Sequence, residues 1–268
     1  FVDCELDTWC MDPKKVELAI SDKTKAIAVV HPYGNLCNMN ALLRISKKYK
    51  IPLLEDAAEG FPSRYEDKFA GTLGNIGTYS FHATKTITTG EGGMVVTNDE
   101  KIAASIRLYR SHGLLRKRHY WHEVPGLNYR LTNLQSAIGL AQIEKIDQII
   151  SARKFIFETY KKELSSLNGV KIQRISENVN IVMWAIGIII DKNYFPQGRD
   201  ELLLQMKGKG IELRPGFYSP FYLEYFDDSK NKNADFLSQS IIVLPSYAEL
   251  TLQDIKKIVK TLSLFSIK

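Results

Sequence analysis

The sequence predicts an α/β fold: a mixed, mostly parallel sheet with crossover helices, followed by a smaller α+β unit. Three observations support this. In the first half, short apolar runs alternate with stretches of helical spacing, the pattern of strands joined by crossover helices. The apolar runs at 76–81 and 93–97 are separated by a loop alone, so one strand of the sheet is expected to run against the others. Beyond Thr132 the alternation gives way to a long helical stretch and then to interleaved strands and helices. The two units are expected to be 1–150 and 151–268, with no low-complexity linker and no internal repeat between them.

The elements follow in order. Residues 25–30 form a short buried strand, and 39–49 have helical spacing with a basic end. Residues 51–56 form the next strand, which closes on the carboxylates Glu55 and Asp56. Strands follow at 76–81 and, after a glycine-rich turn, at 93–97. From Thr132 one continuous helix is expected, with Leu134, Ala137, Ile138 and Ala141 on one face and no proline until well past Leu167. The smaller unit then reads as strand 181–190, helix 200–207, strand 211–214, strand 241–245 and helix 252–265.

Composition excludes several classes. With 44% apolar and 25% charged residues in 268, the chain is neither disordered, collagenous nor coiled coil, and it is long enough to bury a real core. The longest uncharged apolar run, 181–190, is about half of the roughly 20 residues a membrane span needs, and no signal segment opens the chain. A soluble, cytoplasmic protein without a membrane partner is expected. Cys4, Cys10 and Cys37 are odd in number and lack CxxC spacing, which suggests neither a disulfide framework nor a zinc site. The charge of +6 arises from 36 basic against 30 acidic residues spread along the chain, a solvated basic surface rather than a nucleic-acid interface. One local cluster, Arg116-Lys-Arg118 followed by His119, Tyr120 and Trp121, suits a phosphorylated small molecule as well as a polynucleotide.

Chemistry enters at the strand ends. Asp56 sits at the carboxyl end of a buried strand, where open α/β sheets place ligand groups. A second strand closes in Ser80-Phe-His-Ala-Thr-Lys85, and the chain then turns through Thr86-Ile-Thr-Thr-Gly-Glu-Gly-Gly93. Alone, Asp56 reads more readily as a helix cap or loop carboxylate, and Lys85 as a solvated lysine. Together, a strand-end carboxylate, a strand-end serine and a lysine five residues later are what pyridoxal 5'-phosphate requires: a partner for the ring nitrogen, a phosphate ligand and an amine for a Schiff base. Competing motifs fail. Gly90 to Gly93 is neither GxGxxG nor a Walker loop, there is no GxSxG elbow, and His119 and His122 lack the further ligands of a metal site.

The ordered motifs Val30-His-Pro-Tyr-Gly34, Glu55-Asp-Ala-Ala-Glu59, Ser80-Phe-His-Ala-Thr-Lys85, Gly90-Glu-Gly-Gly93 and Gly126-Leu-Asn-Tyr-Arg-Leu-Thr-Asn-Leu-Gln135 resemble those of the DegT-type sugar-nucleotide aminotransferases. The resemblance runs from the opening Phe-Val-Asp to the closing helix. Within that family, Lys85 to Gly93 and Tyr120-Trp-His122 look most like the GDP-perosamine synthases.

The resemblance implies a fold-type I, aspartate-aminotransferase-like architecture and a transaminase that moves an amino group from glutamate to a nucleotide-linked 4-keto-6-deoxy sugar for surface-glycan (O-antigen) synthesis. Lys85 would carry the cofactor and shuttle the proton, Asp56 would meet the ring nitrogen, and Ala58 would pack on the ring. Glu59 would bond the ring hydroxyl, where the family more usually has an amide. Ser80 would hold the phosphate, and Asn128 would reach the cofactor phosphate of a neighbouring subunit, implying a homodimer with shared sites. Arg214 aligns with a small-domain motif near the substrate, though a surface arginine reads the same. His31 and His82 are each either near the ring or satisfied core histidines.

The chain departs from the family at several points. The family's opening segment, with a Gly-Thr or Gly-Ser turn that helps hold the phosphate, is not present, and Phe1 stands first, so a partial chain is expected. Ser219-Pro-Phe-Tyr222 lacks a histidine common near that point, and Asn180-Ile-Val-Met-Trp184 departs from the usual aromatic pair. The alternatives are a non-catalytic protein of this fold, which would have lost Lys85, Asp56 or Ser80, and a sugar dehydratase, in which the lysine position resembles histidine.

Overall fold

The computed structural model describes residues 1–115, 117–226 and 231–267. Arg116 of the basic cluster lies outside them.

The chain opens with a short helix, α1 (Pro13–Ala19), capped by Asp12. Strand β1 (Ile27–Val30) leads to α2 (Met39–Tyr49), which has the bounds its spacing predicts. Asn38 accepts the Ala41 N–H at the helix start, Met39, Leu42 and Ile45 turn inward, and Lys50 ends the helix in the left-handed region. Strand β2 (Leu53–Asp56) follows, then a two-residue pair, β3 (Arg64–Tyr65) and β4 (Lys68–Phe69). Strands β5 (Ile76–Ser80) and β6 (Gly93–Val96) complete the sheet, and α3 (Glu100–Arg110) runs outside it. The main sheet has the order β1-β2-β5-β6. Its first three strands are parallel and β6 is antiparallel to β5, as the short connection requires. The carboxyl ends of β1, β2 and β5 therefore lie along one edge.

The expected single helix from Thr132 is two helices, α4 (Asn133–Ile143) and α5 (Ile146–Leu164). Lys145 breaks the run at φ −109°, ψ 15°, and its N–H bonds back to Gln142 at 3.0 Å. No proline or glycine signals the break. The two helices serve different surroundings: α4 buries none of its residues, whereas α5 buries Ile156, Phe157, Tyr160 and Leu164.

The remaining elements are β7 (Val170–Ile172), β8 (Val179–Asn180), β9 (Ile186–Ile190), α6 (Gly198–Gly208), β10 (Arg214–Pro215), α7 (Lys232–Ser240), β11 (Ile241–Leu244) and α8 (Leu252–Ser263). Strands β10-β11-β9-β7 form an antiparallel sheet, and β4-β3-β8 a smaller one. Two sequence expectations are corrected. The strand expected at 181–190 begins only at Ile186, because the N–H groups of Trp184 and Ala185 turn away to the Tyr33 carbonyl. The strand expected at 211–214 is only Arg214–Pro215; Ile211 and Leu213 are buried, but ladder pairing to β11 begins at Arg214.

One core gathers side chains from Cys10 to Ala70 around α2 and β1–β2, and another gathers Ile156 to Leu262 around α5, β9, β11 and α8. A third, small cluster joins the two ends of the chain, with Trp9 and Tyr33 against Ala185, Leu237 and Ile241. Each buried Leu or Ile stabilises these cores by about 1.5–3 kcal/mol.

One glycine is fixed by close packing. A Cβ on Gly77, in β5, would lie 1.9 Å from the Gly71 carbonyl oxygen, in the loop leading to that strand. Gly77→Ala is expected to lower the urea midpoint, with a loss of about 3 kcal/mol from overpacking against backbone that cannot yield.

Candidate active site

The sheet edge supplies three of the expected residues. Asp56 ends β2 and is exposed; the Ala58 N–H donates to its Oδ1 at 3.0 Å, the one hydrogen bond its carboxylate makes among the described residues. Ala58 is half-buried beside it. Ser80 ends β5 on the neighbouring strand, where its Oγ accepts the His82 N–H at 3.3 Å. Lys85 follows in a compact turn: its N–H bonds to His82 at 3.0 Å, while Phe81 pairs with both Gly92 and Thr89. Backbone bonds and the Thr88 hydroxyl on the Phe81 carbonyl close the turn, and the largely buried Lys85 side chain lines a cavity.

The Lys85 amine lies between two groups. Glu59 Oε1 is 3.5 Å from Nζ, and the Trp184 ring centroid is 4.0 Å away. The other oxygen of Glu59 accepts the Tyr33 N–H at 2.9 Å. Burial pushes the Glu59 carboxyl above its ordinary range, and the Asp56 charge adds to this; the Tyr33 N–H and Lys85 oppose it. Tyr33 adopts φ +60°, unusual for an aromatic residue. That conformation sets its N–H on Glu59 and its carbonyl on Trp184, at 2.9 Å for both bonds.

Arg214 is exposed, with Glu212 3.9 Å from its Nε, and lines the same cavity of about 690 Å³ as Lys85, Tyr33, Trp184 and Arg153. Asn128 stands apart from this cavity. It is exposed in the loop before α4, bridges to Ser111 and accepts a hydrogen bond from Arg130 Nε at 3.2 Å. His31 is fully buried and bonded to Glu55 at 3.1 Å, so it is a satisfied core histidine. His82 is exposed and pairs with Thr84 at 3.0 Å. In the basic cluster, the Arg118 guanidinium lies 3.8 Å over the Trp121 ring.

Sequence reasoning missed Tyr33, Arg153 and Trp184 as wall residues. Trp184 stood out only as a departure from a pattern, and Arg153 lay inside a helix with nothing to distinguish it. Arg153 is buried and donates through Nη1 to the carbonyls of Trp184 and Ser246, at 2.7 and 2.6 Å.

The residues present fit pyridoxal phosphate. An amine from a compact turn lines a cavity, an exposed carboxylate ends β2 with one oxygen uncommitted among the described residues, and a hydroxyl ends the adjacent strand. The sequence as a whole agrees: residues 1–263 match the DegT/DnrJ/EryC1/StrS aminotransferase family. The chain belongs to that family. It is 40% identical to the GDP-perosamine synthase of Escherichia coli O157:H7 over 99% of this chain and 72% of that protein. It is 36% identical to the GDP-perosamine synthase of Caulobacter vibrioides over 97% and 71% of the two chains. Among solved structures, the E. coli GDP-4-keto-6-deoxy-D-mannose-3-dehydratase with bound hydrated PLP superposes at TM-score 0.89 with 27% identity, over 98% of this chain and 72% of that one. The aminotransferase TlmJ from Streptoalloteichus hindustanus shares the fold at TM-score 0.91 and 23% identity, over 98% and 72%. This DegT-family chain is thus a PLP-dependent sugar aminotransferase of fold-type I. Among its described residues no helix is long and apolar enough to cross a membrane.

Proposed function

We propose that this DegT-family enzyme transfers the amino group of glutamate to the keto carbon of a nucleotide-linked 4-keto-6-deoxy sugar. The observation that carries the reading is Lys85, which opens into the same cavity as Arg214 while Asp56 and Ser80 end neighbouring strands. Bound pyridoxal phosphate supplies the electron sink that lets an amino-bearing carbon lose its proton. The chain's own residues do the rest. Lys85 would hold the cofactor and would carry the proton at the substrate carbon. Asp56 would hold the ring nitrogen, Ala58 would pack on the ring, Glu59 would bond its hydroxyl and Ser80 would hold the phosphate. Arg214, which lines the same cavity, would bind substrate.

In the same reading the enzyme is a cytoplasmic homodimer whose Asn128 serves the partner's site, with a cofactor unit at 1–150 and a small unit at 151–268. The dimer is supported by α4, whose Leu134 and Leu140 are 80% and 62% exposed beside the Asn128 loop. The GDP-perosamine synthase relatives support a GDP-linked substrate and a role in surface-glycan synthesis.

The test is a half-reaction. Glutamate added to PLP-loaded enzyme is expected to bleach the Schiff-base absorbance and release 2-oxoglutarate. GDP-4-keto-6-deoxymannose is then expected to restore it with formation of an amino sugar. An unchanged spectrum with glutamate excludes that donor; bleaching without recovery excludes that sugar.

A further inference from the structure

A lysine that holds a cofactor must let go during each half-reaction and then return, so its free amine needs a resting place within reach. Lys85 Nζ lies against the face of the Trp184 indole, 4.0 Å from the ring centroid, with Glu59 at 3.5 Å. A cation over an indole is held electrostatically by the ring quadrupole.

The indole is itself fixed relative to that lysine. Its Nε1–H donates to the Thr84 carbonyl at 2.7 Å, so the ring is tied to the residue immediately before Lys85 in the chain. Its backbone is held from both sides: the Trp184 N–H donates to Tyr33 at 2.9 Å, and the Trp184 carbonyl accepts from the buried Arg153 Nη1 at 2.7 Å. Among the described residues, no other aromatic ring lies over the Lys85 amine.

We propose that Trp184 is a positioning residue for Lys85: its ring face receives the detached amine and keeps it beside the carbon it must reach. The indole N–H fixes the ring, and Arg153 braces it from the second core. The proposal rests on Lys85 being the Schiff-base lysine, and the experiment separates the two ideas.

The readout is capture of pyridoxal phosphate by the cofactor-free full chain, followed by stopped-flow absorbance and by borohydride trapping with peptide mass mapping. No sugar or amino donor is involved. Trapping at Lys85 in the wild type, and its absence in Lys85→Ala, establishes the lysine; trapping elsewhere removes the basis of the proposal. Trp184→Leu, which loses the ring, is expected to capture about tenfold more slowly with thermal unfolding nearly unchanged. Trp184→Phe, which keeps a ring face but loses the N–H bond to Thr84, is expected to fall between wild type and Trp184→Leu. Should Trp184→Leu not fold, biosynthetic incorporation of mono- and difluorinated tryptophan provides the second route. Fluorination drains the ring face without altering its N–H, and capture should slow in steps in the wild type but not in Trp184→Phe. A wild-type rate in Trp184→Leu overturns the proposal, as does a Phe variant as slow as the Leu variant, or indifference to fluorination.

Discussion

Lys85→Ala is expected to abolish transamination, with a rate loss of about 10⁴-fold or more, because in the proposed function one side chain both holds the cofactor and moves the proton. The fold should survive. Removing the lysine leaves Glu59 with the Tyr33 N–H but no cation, and burial already pushes that carboxyl upward. It is expected to take up a proton rather than remain as an unpaired buried charge. Circular dichroism and the urea midpoint should stay close to wild type, while release of 2-oxoglutarate from glutamate disappears. Lys85→Arg provides a second check, since it restores the charge next to Glu59 but has no amine able to form a Schiff base. Recovery of activity in the Arg variant would show that the charge, not the amine, is what matters.

The largest expected loss of stability lies one residue before Asp56. Glu55 is fully buried and accepts four hydrogen bonds. Gly71 N–H and His31 Nε2 meet one oxygen at 2.9 and 3.1 Å, while the N–H groups of Leu73 and Gly74 meet the other. The Cys37 N–H donates to His31 Nδ1 at 3.3 Å, so the imidazole proton is on Nε2 and points at the carboxylate. In Glu55→Gln either orientation of the amide sets its NH₂ against two of these donors. The cost is expected to be about 3–5 kcal/mol, as for breaking a buried charged network.

The pH dependence has a definite sign. Burial by itself would raise the Glu55 carboxyl, but His31 and the N–H groups of Gly74 and Gly71 outweigh it and hold it below its ordinary value of 4.5. The contribution of Glu55 is therefore complete above about pH 4.5 and is lost as pH falls through the lower folded value. Urea titrations should show a constant gap between wild type and Glu55→Gln above pH 5, narrowing in more acidic solution. A gap that widens on acidification would contradict the assignment.

Glu55 and Asp56 also show what the sequence could and could not disclose. Both were read as carboxylates closing a strand, and only strand alternation separates them: the odd member turns into the protein and organises a loop, while the even one faces out and is available to a ligand. Strands β1, β2, β5 and β6 were legible because their apolar runs are bounded by turn residues, and α2 because its cap and inward face agree. Helix α3 was missed although Asp99 caps it and Ile102, Ile106 and Leu108 are half-buried along it; none of its residues is fully buried. The two-residue strands β3, β4 and β8 are too short to leave a periodic signal. Lys85, Asp56 and Ser80 could be proposed from the sequence because each sits in a contiguous motif at or just after a strand end. Tyr33, Arg153 and Trp184 act through neighbours distant in the chain, and no local pattern encodes such pairings.

The small third cluster, in which Trp9 and Tyr33 meet Ala185, Leu237 and Ile241, bears on how the enzyme comes into being. The indole bond from Trp184 to Thr84 spans 100 residues. Closing loops of that length is paid in chain entropy before any contact rewards it, so such contacts form late. A nascent chain can complete β1 to β6, with Lys85 already in its turn, and still lack the wall that receives the lysine. If Trp184 positions Lys85 as proposed, cofactor capture becomes competent only when the C-terminal core has docked, which makes it a direct report on the completion of folding.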